Sequence, residues 1–252
     1  MAVDKLVDST QLDTDLTSVA NAIRTKGGTS AQLAFPAGFV SAIDAIPTGG
    51  GDPQEDLVKL NNNQLASFSN SDVTRIRTNM FRGATALKSI NIPNVVVIKE
   101  SAFYGSGLTG DVVIEKYLST FESYVFRDCP MSTITFKGGI VRIDANTFEG
   151  CLQLTTIDIG NANASLGIRA ERFYNTQNLS ALVIRYTGGV IAASGGVFPS
   201  TCGLATSGYI YVPSDLVASY KAATNWSTYA DRILPIEGSY YETHWANGEA
   251  IS

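Results

Sequence analysis

The chain is poor in the residues on which most catalytic and metal sites depend. Its 252 residues include one histidine, His244, and three cysteines. A histidine-based catalytic triad or metal cluster would therefore rest on a single residue near the carboxyl end. The Gly-x-Ser-x-Gly, Gly-x-x-x-x-Gly-Lys and His-Glu-x-x-His patterns are also missing from the sequence. We therefore expect a non-enzymatic protein with no catalytic residue, no metal site and no cofactor.

Charge is also scarce, and it forms no basic stripe. Charged residues make up 16% of the chain, and the formal net charge is −5. Most of this negative charge falls in residues 1–60, which leaves the remainder nearly neutral. Because binding to a phosphate backbone needs clustered lysine and arginine, we expect no nucleic-acid partner.

Long apolar runs are absent as well. No stretch of 18 apolar residues occurs, which argues against a membrane span. Asp4 and Asp8 interrupt the segment where a secretory signal would need an unbroken apolar core. We therefore expect this chain to be made in the host cytoplasm without a signal peptide.

What the sequence does contain is an internal repeat. One phenylalanine marks each copy, at intervals of 22, 23, 22, 25 and 25 residues. An isoleucine or phenylalanine precedes the first five of these phenylalanines by five residues, and further apolar residues follow about eleven residues later. This period lies within or beside the range of leucine-rich repeats. The markers are Phe81, Phe103, Phe126, Phe148, Phe173 and Phe198.

Each copy ends in a short alternating segment, as in Leu154-x-x-Ile157-x-Ile159. Period-two alternation predicts one short strand in each coil. A coil of about 23 residues cannot bury an apolar face alone, so neighbouring coils must stack. The sequence therefore predicts an α/β repeat fold, a short leucine-rich-repeat solenoid of about six coils.

Residues 73–212 resemble the BspA-like leucine-rich repeat family, whose coils read approximately Ile-x-x-x-x-Phe-x-x-Cys-x-x-Leu-x-x-Ile-x-Ile. The Phe148 copy carries the whole pattern. The Phe103 copy has a shortened strand lead-in, and in the last copy Ile191 lies seven residues before Phe198. The resemblance implies a recognition scaffold without catalysis and leaves the ligand open.

A binding surface on such a solenoid would come from strand residues that alternate with the buried ones. These residues are mostly small, and only one carries a charge. They could contact a carbohydrate or a protein, and a merely solvated sheet face fits them equally well. The candidate binding face comprises Ser89, Asn91, Thr133, Thr135, Thr156 and Asp158, continued by Ala181 and Val183.

Two cysteines, Cys129 and Cys151, share one repeat position three residues after the phenylalanine. Other copies place Ala84, Ser106 or Thr176 there. A slot that accepts all of these favours a small buried thiol over a disulfide or a metal ligand.

Apolar residues at helical spacing precede the repeats and predict two helices, divided by Gly27-Gly28 and followed by Gly49-Gly50-Gly51. About residues 10–46 resemble a short module of virion proteins, especially tail-associated ones, from phages of Gram-positive bacteria. The resemblance implies docking to other virion proteins. The candidate docking residues are Leu12, Leu16, Val19, Ile23, Phe39, Val40 and Ile43.

The segment that follows the last coil, 209–233, resembles the closing segment of BspA-like domains, and its apolar residues are spaced to cover the terminal coil. The predicted organisation runs in five parts. They are a docking hairpin (1–48), a glycine-rich hinge with a short helix (49–60), the solenoid (61–212), a helical cap (213–238) and a tail (239–252).

These features lead to the hypothesis of a phage structural protein in the tail or baseplate, whose solenoid contacts a protein or glycan of the host surface. A capsid-surface fibre or decoration protein is the next alternative, and a bacterial cell-surface adhesin is the rival from another class. Carbohydrate cleavage at the host surface ranks last. Homo-oligomerisation stays open.

Overall fold

The computed structural model describes residues 63–160, 166–168 and 172–246. The predicted docking hairpin and hinge, 1–48 and 49–60, lie outside these residues, and the docking candidates lie there with them. Within the described ranges no helix is long and apolar enough to cross a membrane.

Two series of short strands run along the described chain and form two sides of the stacked coils. In the first series, β3 to β12 each follow a marker phenylalanine, and β1 and β13 extend the series at its two ends. The strands are β1 (Ser67–Ser69), β3 (Ser89–Asn91), β5 (Asp111–Ile114), β7 (Thr133–Phe136), β8 (Thr156–Ile159), β10 (Ala181–Ile184), β12 (Tyr209–Val212) and β13 (Ile233–Pro235). The second series, which precedes the phenylalanines, consists of β2 (Arg75–Ile76), β4 (Val97–Ile98), β6 (Thr120–Phe121), β9 (Gly167–Ile168) and β11 (Ala192–Ala193).

The first series builds the main sheet, a six-stranded parallel sheet in the order β13-β12-β10-β8-β7-β5. Its register aligns the repeat positions, because Ile134 pairs with Ile157 and Ile157 with Leu182. Phe136, which follows its marker phenylalanine at ten residues, pairs in register with Ile159. The predicted parallel stacking of these strands is therefore confirmed, whereas the expectation of a single strand in each coil is not, because the second series adds another strand to several coils.

The main sheet stops before β3, which pairs only with β1 in a separate two-stranded sheet. The Phe103 copy, which connects β4 to β5, has the shortened lead-in noted in the sequence. There Gly107 lies so close to the preceding coil that an added Cβ would sit 2.0 Å from the carbonyl oxygen of Thr85. The N–H of Thr109 still donates to the Lys88 carbonyl at 3.1 Å, so backbone bonds continue across the break.

The second series also pairs in parallel, with β2, β4 and β6 in one sheet and β9 and β11 in another. In the last coil it is Ala193, five residues before Phe198, that pairs with Ile168. The last copy therefore keeps the five-residue spacing of the others. Ile191, the residue that suggested a departure, is buried instead against the carboxyl-terminal helices.

The marker phenylalanines stack on one another in the core. Successive rings lie at centroid distances of 5.2 Å (Phe81 to Phe103), 5.4 Å (Phe103 to Phe126), 6.3 Å (Phe126 to Phe148) and 6.2 Å (Phe148 to Phe173). The interplanar angle of each pair is 14° or less. Phe68 packs on the first ring at 4.9 Å and Phe198 on the last at 5.6 Å. The rings form one continuous column, as the repeat requires.

Left-handed backbone turns flank the ring in successive coils. The residues two positions before the ring, Asn79, Ser101, Tyr124 and Asn146, have φ between 55° and 60°. The positions two residues after it also have positive φ, and they are Gly83, Gly105, Asp128, Gly150 and Asn175. Glycine, asparagine and aspartate tolerate this conformation best, which explains most of these choices.

Short helical segments lie between the last strands of the main sheet and after β13. They are α1 (Gly203–Thr206), α2 (Val217–Ala222), 3-10 turns at Ser214–Leu216 and Ser227–Arg232, and α3 (Tyr240–Ala246). Trp226 and Tyr229 contact the ring of Phe198 at 6.4 and 5.0 Å. The Trp226 indole donates to the Ile191 carbonyl, and the Tyr220 hydroxyl accepts from the Ile191 N–H. These aromatic side chains therefore pack over the last described coil.

The ring column yields a direct stability prediction. We expect Phe126→Ala to lower the free energy of unfolding by about 3–5 kcal/mol, because the ring is fully buried and its removal leaves a cavity between two others. Tyr174→Ala, at an exposed ring outside the column, should change it by less than about 0.5 kcal/mol. Urea denaturation followed by circular dichroism measures both. Equal effects would contradict the role of the column.

Alanine substitutions at two glycines distinguish the cost of backbone strain from the cost of a steric clash between coils. Gly83 has φ +69° and open space at its Cβ position, so Gly83→Ala should cost about 1–2 kcal/mol through backbone strain alone. At Gly160 a Cβ would lie 2.2 Å from the Lys137 carbonyl oxygen. Gly160→Ala must therefore push two coils apart and should cost more than Gly83→Ala.

The control is Gly195→Ala, where the nearest atom would lie at an ordinary 3.7 Å. It should leave the urea midpoint nearly unchanged. A larger loss of stability at Gly195 than at Gly160 would refute this account.

Candidate functional site

The candidate binding face lies on the outward side of the main sheet and of β3, but most of it is covered. Ser89 and Asn91 are exposed, as expected. The next four residues are not, because Thr133, Thr135 and Thr156 are at most 5% exposed and Asp158 is 0% exposed. The expectation of a solvent-facing ladder is therefore wrong for these four residues.

A buried ion pair accounts for the position of Asp158. Arg185, one coil further on, donates from Nε to Oδ1 at 2.8 Å and from Nη2 to Oδ2 at 2.7 Å. Nη2 also donates to the backbone carbonyl of Tyr241 at 2.8 Å. This bidentate geometry satisfies both carboxylate oxygens and joins two neighbouring coils to the carboxyl-terminal helix α3.

Burial and pairing act on Asp158 in opposite directions. Loss of hydration raises the pKa of Asp158, and the hydrogen bonds and charge of Arg185 offset part of that rise. A folded-state pKa above the unfolded one means that the folded chain binds the proton more tightly. The contribution of Asp158 to the free energy of unfolding therefore falls as pH rises from the unfolded to the folded pKa.

Tyr241 supplies part of the cover on this face. Its side chain hydrogen-bonds Thr156, and its ring lies 4.7 Å from the ring of Tyr211. Tyr211 is itself an outward-facing residue of β12, opposite Val183 in the register. The tail thus contacts Thr156 on β8, Tyr211 on β12 and Arg185 just after β10, on the side of the sheet that carries the candidate binding face.

Four tyrosines gather where α3 meets β12, and we call them the tyrosine patch. They are Tyr209, Tyr211, Tyr240 and Tyr241. Tyr209 and Tyr240 are 43% and 47% exposed. Their rings connect through Tyr211 and Tyr241, with centroid distances of 6.4, 4.7 and 5.3 Å from Tyr209 to Tyr240. Exposed tyrosines held in contact are typical of recognition surfaces.

A second surface follows the turns beside the ring column, and we call it the turn ladder. The guanidinium of Arg82 lies 4.6 Å from the ring centre of Tyr104, and that of Arg127 lies 5.5 Å from it on the neighbouring coil. Arg127 also pairs with Glu149 at 3.1 Å. Tyr174 is exposed further along. The turn ladder is largely satisfied by its own cation–π and ionic contacts.

The repeat described above has a counterpart among known protein families. The BspA type leucine rich repeat region matches residues 61–198, in six copies. The chain belongs to the BspA-type leucine-rich repeat family. The family resemblance expected from the sequence is thereby confirmed over the solenoid.

Two solved structures are similar in part to this BspA-type chain. A leucine-rich cell surface protein from Faecalibacterium prausnitzii A2-165 shares 16% identity at a TM-score of 0.25, over 77% of this chain and 65% of its own. A leucine-rich repeat protein from Bacteroides ovatus ATCC 8483 shares 15% identity at a TM-score of 0.32, over 63% of this chain and 58% of its own. The chain thus spans less than two thirds of either one. No curated protein sequence matches it.

The cysteine slot of the BspA-type repeat is confirmed as a place for small buried side chains. All three cysteines are free and buried, and burial raises the pKa of Cys129 to about 12. The Cys129 and Cys151 thiols donate to the carbonyls of Phe103 and Phe126 at 3.1 and 3.0 Å. Cys202 lies four residues after its ring and bridges to Thr176, so it occupies the same slot in the last coil. These thiols are structural.

No group of three or more metal-ligating side chains occurs in the part of the chain that the structure describes. Sequence reasoning expected one continuous face, but among its polar residues the register sets only Thr133 beside Thr156 and Thr135 beside Asp158, and it pairs Ser89 and Asn91 with β1 in a separate sheet. Sequence reasoning also missed the tyrosine patch of this BspA-type chain. The alternation Tyr209-Ile-Tyr211-Val already placed two tyrosines outward, whereas nothing in the sequence showed that Tyr240 and Tyr241 return to them.

The buried pair under the tail of this BspA-type solenoid can be tested by a double-mutant cycle. We expect Asp158→Ala to lower the free energy of unfolding by roughly 3 kcal/mol, because Arg185, whose side chain is only 12% exposed, loses its carboxylate partner. Asp158→Ala combined with Arg185→Met should cost less than Asp158→Ala alone. Urea unfolding curves give the free energies. Additive losses would show that the two side chains do not interact.

Proposed function

We propose that this chain is a non-enzymatic recognition protein, displayed on a surface, whose solenoid binds the surface of another cell. The observation that carries the proposal is the placement of its aromatic side chains. The marker phenylalanines are buried in the core column, whereas the exposed Tyr209 and Tyr240 lie together at one end of the sheet face. A rigid stack that presents grouped tyrosines outward suits binding.

The chemistry of the buried polar groups supports binding over catalysis. Both oxygens of Asp158 are engaged by Arg185, which leaves that carboxylate no role as a general base. The thiols of Cys129, Cys151 and Cys202 all have raised pKa values because they are buried, which disfavours the nucleophilic thiolate.

A bacterial cell-surface adhesin is our first candidate for the class of protein to which this recognition function belongs. BspA-type repeats, which cover residues 61–198 here, are common in such adhesins. A phage structural protein in the tail or baseplate, or on the capsid, is the second candidate. It is favoured by the resemblance of about residues 10–46 to a virion module, which would dock the chain to other virion proteins.

Cell binding and location test the proposal in two steps. The fluorescently labelled 252-residue chain should bind intact cells of at least one strain in a panel of Gram-positive and Gram-negative bacteria in flow cytometry, and excess unlabelled chain should compete with it. Heat-unfolded chain serves as the control. The recognition function would be refuted if the labelled chain bound no strain, or if unlabelled chain failed to compete with its binding to every strain that it bound.

An antibody against the chain then separates the two carriers. Detection in washed envelopes of cells free of phage particles supports the adhesin. Co-sedimentation with purified particles through a density gradient supports the virion protein, and a deletion of residues 1–48 should then abolish incorporation. Detection only in the soluble cytoplasmic fraction would contradict display on either surface.

A further inference from the structure

The tyrosine patch indicates what kind of ligand the solenoid recognises. We propose that Tyr209, Tyr211, Tyr240 and Tyr241 bind an uncharged carbohydrate chain. This inference deepens the proposed recognition function and rests on it. It assigns the ligand contact to the end of the sheet face where β12 meets α3, and not to the polar ladder of the earlier strands.

The arrangement of the rings forms a stepped surface. The rings of Tyr211 and Tyr241 are inclined at 57°, and those of Tyr240 and Tyr241 at 89°. Tyr209 and Tyr240 stand at the two ends of this series and are the most exposed of the four. Each tyrosine offers an apolar ring beside a hydroxyl. A pyranose offers the complementary pair, a C–H face beside hydroxyl groups.

The support beneath the rings is rigid. Tyr209 and Tyr211 alternate with the buried Ile210 and Val212 on β12, which pairs with β10 on one side and β13 on the other. The backbone carbonyl of Tyr241 accepts a hydrogen bond from Arg185, and its side chain is hydrogen-bonded to Thr156. Side chains that are already ordered lose little conformational entropy when a ligand binds.

The charge around the rings favours an uncharged ligand. Arg185 and Asp158 neutralise each other beneath Tyr241. Glu242 accepts a hydrogen bond from the backbone N–H of Gly238. Burial raises the pKa of Tyr211 and of Tyr241, so neither hydroxyl carries a negative charge at neutral pH. No charge within the patch selects for an acidic sugar or a phosphate.

The size of the exposed area favours a carbohydrate over a protein. Tyr209 and Tyr240 are 43% and 47% exposed. At about 200 Å² for a whole tyrosine, they present on the order of 200 Å² between them. A stable protein interface buries about 800 Å² on each partner. A few sugar units fit the smaller area.

The test uses the full chain and immobilised polysaccharides in biolayer interferometry. Mannan, dextran, galactan and laminarin are the uncharged probes, and polygalacturonate and hyaluronan are the acidic ones. We expect binding to at least one uncharged probe. That binding should change little when the salt concentration is raised about tenfold, because no charge pair contributes.

The patch variants are Tyr209→Ala and Tyr240→Ala, each of which should weaken this binding by about tenfold or more, equivalent to about 1.4 kcal/mol. Tyr209→Phe keeps the ring and should lose less. Tyr174→Ala, a tyrosine of similar exposure on the turn ladder, is the matched control and should bind as the unaltered chain does. Circular dichroism confirms that every variant is folded.

Three results would overturn the inference. They are failure of all uncharged probes to bind, binding restricted to the acidic probes, and equal binding by the unaltered chain and both alanine variants. Labelled-cell binding separates this inference from the proposed function. If cells are bound but no uncharged probe is, the carbohydrate assignment fails alone, and if cells are not bound either, both fail.

Discussion

The contact between successive coils is the interaction on which the rest of the molecule depends. It has two components at the ring column. The phenylalanine rings stack face to face, and the backbone of each turn donates to the next, as in Phe81 N–H to Ala102 O at 2.7 Å and Phe103 N–H to Val125 O at 3.0 Å. No coil satisfies its ring or its turn amides alone. Stability is therefore shared between neighbours along the stack.

This dependence assigns function to the outside of the molecule. The inward positions are filled by the ring column, the isoleucines of the two strand series and the small residues of the cysteine slot. What remains for recognition is the outward side of the main sheet and the turn ladder. On the sheet side, the tail covers polar residues and adds aromatic ones, so the surface changes from exposed serine and asparagine at β3 to tyrosine at β12.

The repeat predicted the fold because it is a pattern of local spacings. Each apolar position has the same neighbour one coil away, so the spacing of Ile157 and Ile184 from their rings already implies their stacking with Ile134 and Ile159. The same logic explains the cysteine slot. The repeat pattern did not predict the burial of Asp158, because burial on the outward face depends on what else packs there. Its partner Arg185 lies 27 residues further along the chain, and Tyr241, which covers the pair, lies 56 residues beyond Arg185.

The sequence by itself determined the coil length, the column of rings and the small-residue slot, since these follow from periodic side chains that must bury one another. It also determined the alternation that directs Tyr209 and Tyr211 outward. Only the tertiary structure decided which outward residues are open. The contacts of α3 with β8, with β12 and with Arg185 join residues that are distant in the chain. There the predicted polar ladder contains a buried ion pair bordered by exposed tyrosines.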